Sequence, residues 1–278
     1  MSKDQLIQSY LACPECKTKL RLAGDDLECV SCNSRFQAID GIYSLLPGEN
    51  MYPVKPEHWD QYKWKFVEEA HGATRMKKVL KYINHEGTHL DIGTGRGDGT
   101  YLVGKKKQTI GVDYGLDSLR IAKEKNPHVF HADGRHLPFQ NGSFSSITMM
   151  DVIEHLPNPE KLLLEANRVL KPRGTMILQT PTIEASRLKD VAAKIYNRSK
   201  TMRSLDTVIQ RLRPDVPVIN PNVGAQPYDV LLRRKQLHDM ILSAGFTIEK
   251  RRLATYFSNI LLIQLFCFAD LYICRKGE

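Results

Sequence analysis

The sequence predicts an α/β protein built on a doubly wound, mostly parallel sheet, with a small N-terminal unit ahead of it. Three observations predict this. From Thr88 onward, short apolar runs alternate with helical ones at the spacing of strand–helix–strand units, which require a parallel sheet covered on both faces. Acidic residues and glycines stand where successive strands should stop. Four of the six cysteines lie within the first 32 residues. At 278 residues the chain can bury one large core and still carry an appendage.

The N-terminal unit is read from its cysteines. Cys13-Pro-Glu-Cys16 and Cys29-Val-Ser-Cys32 are two Cys-x-x-Cys knuckles separated by twelve residues. Each knuckle can turn two thiolates toward one ion, and two knuckles complete the tetrahedral shell that zinc prefers. Four protein ligands leave no position for water, so such a site is structural. Two disulfides or a redox pair are the alternatives; both suit a cytosolic chain poorly, and a redox motif has no use for the second pair. A unit of about 40 residues has little core of its own, so the metal would stabilise its fold. Lys19–Leu22, Asp26–Cys29 and Arg35–Ile39 alternate as short strands, with a turn at Gly24-Asp25-Asp26. Cys267 and Cys274 stand in apolar surroundings and are expected to be buried thiols.

The next elements follow in order. Residues 48–56, rich in proline and glycine, read as a linker between a unit at 1–47 and a large domain at 57–278. From Glu57 to Asn84 the pattern is helical, with Trp59, Tyr62, Phe66 and Val67 on one face and Met76, Val79, Leu80 and Ile83 after a break at Gly72. Strands are expected at Thr88–Ile92, Thr109–Asp113, His128–His131, Ser145–Met150 and Thr175–Thr180. Helices are expected at Asp117–Lys125 and Pro159–Leu170, the latter with Asn158 as N-cap and Lys171–Gly174 as its stop. A last helix, Arg233–Ala244, ends at Gly245, and Phe246–Leu253 and Leu271–Arg275 close the sheet.

Ligands of such sheets bind outside the carboxyl ends of the strands. The first strand ends in Asp91-Ile-Gly93-Thr-Gly95-Arg-Gly97, whose alternate glycines allow sharp turns and close approach of backbone to a ligand. No Gly-x-Gly-x-x-Gly dinucleotide fingerprint can be read there in any register. The second strand ends in Asp113, where a carboxylate can accept two ribose hydroxyls. The third ends in Asp133-Gly134, where an aspartate can accept an adenine amino group.

Residues 87–180 resemble a class I S-adenosylmethionine-dependent methyltransferase, of the type that includes quinone-biosynthesis enzymes. The likeness rests on Leu-Asp-Ile-Gly-Thr-Gly-Arg-Gly at 90–97, Gly-Val-Asp at 111–113, Ala-Asp-Gly-Arg-His-Leu-Pro-Phe at 132–139, Asp-Val-Ile-Glu-His-Leu at 151–156 and Leu-Lys-Pro-Arg-Gly at 170–174. It implies that Asp113 holds the ribose, Asp133 with Gly134 the adenine, and the Gly93–Gly97 backbone the methionine moiety, with Asp91 and Asp151 lining the pocket. Ser145 departs from the aspartate usual before the fourth strand, a structural position. Residues 11–47 resemble the zinc-ribbon activators that partner RNA and protein methyltransferases. They also look like the ribbon fused to certain ribosomal RNA guanine methyltransferases, though those use a different final pair of ligands.

The sulfonium of S-adenosylmethionine already makes its methyl electrophilic, so the protein needs to align the acceptor and exclude water. A general base serves only an acceptor that is protonated at working pH. His155 and Asp151 are the candidates at the fourth strand's end. Asp-x-x-Glu-His at 151–155 is also similar to a divalent-metal motif of some ubiquinone O-methyltransferases. On the plainest reading Asp151 lines the pocket, Glu154 faces solvent and His155 packs at the cleft floor. The insertion 183–230, rich in Lys and Arg, is expected to cover the acceptor site, either as a cationic rim for a phosphate-bearing acceptor or as a solvated basic helix face, with Tyr228 a possible acceptor contact.

The formal net charge is +9; four thiolates around one divalent ion would lower it to about +7. That charge suits a polyanion such as RNA as well as a solvated basic surface. The start Met-Ser-Lys-Asp-Gln lacks a signal's apolar core, so a cytoplasmic protein is expected. The longest apolar run, Ile260–Ala269, is too short to span a bilayer and reads as a buried helix or strand. The leading expectation is a methyltransferase acting on a small or lipid-like organic acceptor. An RNA methyltransferase is the rival enzyme. A non-catalytic adaptor, binding a partner methyltransferase through its ribbon, is the rival of another class.

Overall fold

The computed structural model describes residues 3–48, 76–84, 86–187, 230–255 and 268–278. The Trp59–Val67 stripe, nearly all of the linker, most of the 183–230 insertion with Tyr228, and Cys267 lie outside the described residues.

The N-terminal unit opens with helix α1 (Lys3–Tyr10) and continues as an antiparallel sheet of β1 (Leu20–Ala23), β2 (Asp26–Cys29) and β3 (Arg35–Phe36). The single run expected over Arg35–Ile39 is broken. At Gln37 the chain leaves the ladder, the Ala38 N–H turns to Asp26 Oδ1 (3.2 Å), and pairing passes to a hairpin of β4 (Ala38–Ile39) with β5 (Ile42–Tyr43).

The main sheet has seven strands: β6 (His89–Ile92), β7 (Thr109–Asp113), β8 (Val129–His131), β9 (Phe144–Met150), β10 (Leu170–Thr180), β11 (Phe246–Thr255) and β12 (Phe268–Lys276). Their spatial order is β11-β12-β10-β9-β6-β7-β8, parallel throughout except that β12 runs against both of its neighbours. The chain winds outward from β6 to β8 and then returns to the other side of β6. The topological switch point therefore lies between β6 and β9, where open α/β sheets take their ligands. Helices α2 (Asp98–Gly104), α3 (Leu116–Lys125), α4 (Pro159–Val169) and α5 (Arg234–Ser243) cover the sheet.

One local expectation is corrected. Asn158 precedes α4 in a left-handed conformation (φ 57°) and gives it no side-chain cap, so Pro159 alone marks the start. Lys171–Gly174 follows the helix's end at Val169, as its stop should, and is itself extended. It forms the irregular first part of β10, where the register shifts between Leu170 and Thr175.

One hydrophobic core crosses from the N-terminal unit into the sheet. Leu11, Leu27, Tyr43 and Leu45 pack in the same cluster as Phe130, Phe139, Phe144 and Ile147, and Phe139 meets Phe144 edge to face with centroids 4.9 Å apart. A second cluster on the opposite face joins Met76, Val79 and Ile83 to Val103, Ile177, Leu271 and Ile273. The N-terminal unit also covers the sheet's edge. Ser44 bridges His131 of the terminal strand β8 in parallel, and the Leu45 N–H donates to His131 O at 2.7 Å. Among the described residues, no helix is long and apolar enough to cross a membrane.

Candidate cofactor site and metal centre

Cys13 and Cys16 stand in the turn after α1, Cys29 ends β2, and Cys32 lies in the turn to β3. Their sulfur atoms all lie within 4.8 Å of one another. Separations are 3.7 Å for Cys13–Cys32, 3.4 Å for Cys16–Cys29 and 3.6 Å for Cys16–Cys32. A tetrahedron with metal–sulfur arms of about 2.3 Å has edges of roughly 3.8 Å, so the donor set fits zinc. Backbone N–H groups of Ser31 and Cys32 donate to Cys29 Sγ at 3.4 and 3.5 Å. Burial pushes the Cys13 thiol up to about 12, and a cation among the four sulfurs would supply the attraction needed to ionise it at neutral pH.

The second site gathers at the carboxyl ends of β6 and β7. The Asp113 carboxylate is half-exposed there and is held by two backbone donors, Gly95 N at 2.7 Å and Gly115 N at 2.8 Å. This fixes it against the mouth of the glycine loop. The three loop glycines serve different ends. A Cβ on Gly93 would lie 2.3 Å from a Val152 methyl, and one on Gly97 (φ +82°) would lie 2.9 Å from the α3 backbone at Ala122. A Cβ on Gly95 (φ +52°) would meet nothing within 4 Å. Only Gly95 therefore faces open space; the other two are glycine because protein packs against them.

Asp91 is buried, with one carboxylate oxygen accepting from the Thr100 hydroxyl (2.7 Å) and the other from the Thr148 hydroxyl (2.6 Å). It ties β6 to α2 and to β9. The sequence signal for Thr100 and Thr148 is slight, a hydroxyl in a helix's first turn and another inside an apolar strand. Asp133 is also buried. Its two oxygens accept from the Arg135 guanidinium at 2.6–3.1 Å, and Oδ1 also takes the Arg135 N–H. The expected adenine contact would have to share or open this pair. A Cβ on Gly134 would press on Leu162 at 2.9 Å, so packing on α4 accounts for that glycine. Ser145 is buried at the opposite end of the sheet, with its hydroxyl 2.5 Å from Glu86 O and 3.0 Å from Lys107 Nζ, as a structural position should be.

The methyltransferase-domain family model matches residues 90–178. This stretch is a methyltransferase domain. A demethylmenaquinone methyltransferase of Staphylococcus aureus (strain JH9) is 34% identical over 120 residues, covering 39% of this chain and 49% of the relative. The chain thus spans about half the length of the curated relatives it matches. Among solved structures, a chain of the complex between the Haloferax volcanii Trm112 methyltransferase activator and a methyltransferase shares 15% identity at a TM-score of 0.59, covering 81% of this chain and 98% of that one. A Thermotoga maritima S-adenosylmethionine-dependent methyltransferase shares 19% at a TM-score of 0.52, covering 80% and 98%. These likenesses show the class I methyltransferase fold.

At the end of β9 in the methyltransferase domain, Asp151 adopts a left-handed conformation (φ 57°) and its N–H donates to Gln179 O at 2.8 Å. Glu154 does not face solvent as expected. It is 3% exposed, accepts the Thr180 hydroxyl on Oε2 at 2.8 Å, and has Oε1 3.9 Å from His155 Nε2. Thr180 ends β10, which explains the burial: the turn after β9 folds back across the neighbouring strand's end. Among the described residues, the four cysteines are the one group of three or more metal-capable side chains whose ligand atoms converge. The side chains of Asp151, Glu154 and His155 do not converge in that way.

Proposed function

We propose that this chain transfers a methyl group from S-adenosylmethionine to a small or lipid-like organic acceptor. The observation that carries the reading is Asp113 fixed by Gly95 N and Gly115 N beside the one loop glycine that faces open space. A carboxylate so held keeps acceptor capacity for a vicinal diol. In this reading Asp113 receives the two ribose hydroxyls, the Gly93–Gly97 backbone passes along the methionine moiety, and Asp133 with Gly134 bounds the adenine side. Asp91 acts through Thr100 and Thr148, setting the loop. Asp151 lines the methyl-transfer side of the cleft. When bound, S-adenosylmethionine supplies an electrophilic methyl, so the side chains need only orient the acceptor and take its proton where it has one. His155 is the group we assign to that proton, with an oxygen of the buried Glu154 carboxylate 3.9 Å from its Nε2.

Cys13, Cys16, Cys29 and Cys32 are assigned a structural zinc. A ribbon resembling the activator proteins is here part of the chain and shares a core with the sheet, so we read it as a built-in partner rather than a grip for a separate one. The demethylmenaquinone relative supports an organic acceptor. The net charge of +9 favours RNA as a second reading. Calorimetry with S-adenosylmethionine tests the core of the proposal: Asp113→Ala should weaken binding at least tenfold, about 1.4 kcal/mol, and unchanged affinity would remove the ribose role. A labelled-methyl assay on fractionated extract, scoring RNA, lipid and small-molecule pools separately, then separates the acceptors.

A further inference from the structure

The far end of the cleft rim carries a charge cluster outside the cofactor site. Asp270 of β12 pairs with Thr180, the last residue of β10, and is fully buried. Its Oδ2 accepts from the Thr182 hydroxyl (2.6 Å) and Arg234 Nε (3.0 Å), while Oδ1 accepts from an Arg251 terminal nitrogen (2.9 Å). One carboxylate therefore meets two guanidiniums, and the Glu184 carboxylate stands close enough to act on Arg234 and Arg233. Each arginine uses a single nitrogen on Asp270, and their other side-chain donors make no hydrogen bond among the described residues. The two side chains are 30% and 41% exposed. Glu184 is the nearby acidic group, and it takes the Arg234 backbone N–H at 2.8 Å. Beneath the arginines on the same strand face as Asp270, Tyr272 is fully buried and its hydroxyl has no hydrogen-bond partner among the described residues. Burial, and then the Asp270 carboxylate, hold that phenol above its ordinary range, so it stays a donor.

A structural aspartate needs one arginine for neutrality. Two half-exposed forks, anchored by a buried carboxylate and presenting spare donors, form a preorganised receptor for a tetrahedral or planar oxyanion. Strands lie about 4.8 Å apart, so this receptor stands roughly 10 Å from the end of β9 and on the side away from β6. We propose that Arg234 and Arg251 form an anion subsite that binds a phosphate or carboxylate group on the small methyl acceptor, anchored two strands away from the end of β9. This rests on the methyltransferase reading for the acceptor's identity, but the anion binding itself does not.

The test uses the full-length zinc-loaded protein and three probes: inorganic phosphate, acetate and a short single-stranded RNA. Each is titrated by calorimetry at constant ionic strength, with S-adenosylhomocysteine binding measured on the same samples. Phosphate or acetate should bind in the millimolar range or tighter, and Arg251→Gln should weaken it at least tenfold. Arg252→Gln removes the same charge from the neighbouring, oppositely facing position of β11 and should change it less than twofold. Should Arg251→Gln fail to fold, Arg251→Lys keeps the charge on Asp270 while losing the fork, and should still weaken binding several-fold. Equal losses in the Arg251 and Arg252 variants, or no binding beyond that of chloride, would overturn the subsite. RNA binding more than a hundredfold tighter than phosphate, lost in Arg251→Gln, would overturn the small-acceptor assignment. Absence of S-adenosylhomocysteine binding would sink the methyltransferase reading and leave the phosphate result to be judged alone.

Discussion

The cysteine cluster draws all four donors from residues 13–32, whereas the cofactor cleft draws its walls from strand ends spread between Asp91 and Asp151. The first is closed and short-range: two turns meet and their sulfurs converge. The second is open and long-range, and its geometry depends on β6, β7 and β9 lying in register. The contrast teaches where each site is vulnerable. The metal centre should fail by unfolding, because its ligands are also its fold. The cleft should fail by losing affinity, because the sheet survives the loss of a side chain at its rim.

The largest effect is therefore expected at the ribbon. Cys29→Ser should remove zinc and with it a term of about 10 kcal/mol or more, the range for structural zinc. The damage should not stay local, since Leu11, Leu27, Tyr43 and Leu45 share a core with Phe130, Phe139 and Phe144. Zinc analysis with calorimetric unfolding should show metal and the high-temperature transition disappear together. A metal-free variant that melts at the wild-type temperature would break the idea of a single cooperative unit.

The same contrast explains what the sequence made legible. Cys-x-x-Cys knuckles and the Asp91–Gly97 run announce themselves because short-range chemistry fixes their residue types. The strand positions were readable for a related reason, since apolar runs ending in glycine or aspartate mark the cleft side of each strand. Partners chosen in three dimensions were not readable. Arg135 capturing Asp133, Thr180 burying Glu154, and Ser44 joining the edge of β8 all depend on which element lies alongside. Asp270 did leave a trace, as a lone acid in the apolar run Phe268-Ala-Asp-Leu-Tyr-Ile273, but its arginines come from 36 residues before and 19 residues before it.

An intermediate effect is expected from acid, and it separates the sheet from the metal centre. His89 is wholly buried at the start of β6, between the Ser146 (2.9 Å) and Thr148 (3.0 Å) hydroxyls. Burial, with Lys107 adding to it, holds its pKa down to about 3. The unfolded imidazole takes a proton near pH 6.5 while the folded one refuses it, so the contribution is whole above pH 6.5 and is lost as pH falls toward 3. The slope in that window is about 1.4 kcal/mol per pH unit for one proton. Release of the proposed zinc would also weaken the protein in acid, so the comparison is with His89→Gln, which keeps a donor and an acceptor but does not titrate. Its stability between pH 6.5 and 5 should fall less steeply by about that slope. Parallel curves for the two proteins would mean that His89 is not neutral in the fold.

The finest discrimination lies within the loop, between two glycines that sequence alone makes equivalent. Gly97→Ala places a methyl 2.9 Å from the α3 backbone at a positive φ, so it should cost about 2–4 kcal/mol of stability, from strain and overpacking together. Gly95→Ala meets no atom within 4 Å and carries only the left-handed penalty of about 1–2 kcal/mol. Its methyl would stand in the space a cofactor needs, beside the N–H that steadies Asp113. Thermal melts and S-adenosylmethionine calorimetry on both variants should therefore give opposite rankings. Gly97→Ala should be the less stable protein, and Gly95→Ala the one that loses more affinity relative to its stability, by tenfold or more. If Gly95→Ala binds as wild type does, the open space beside it is not the cofactor's, and the cleft must be entered from another side of the loop.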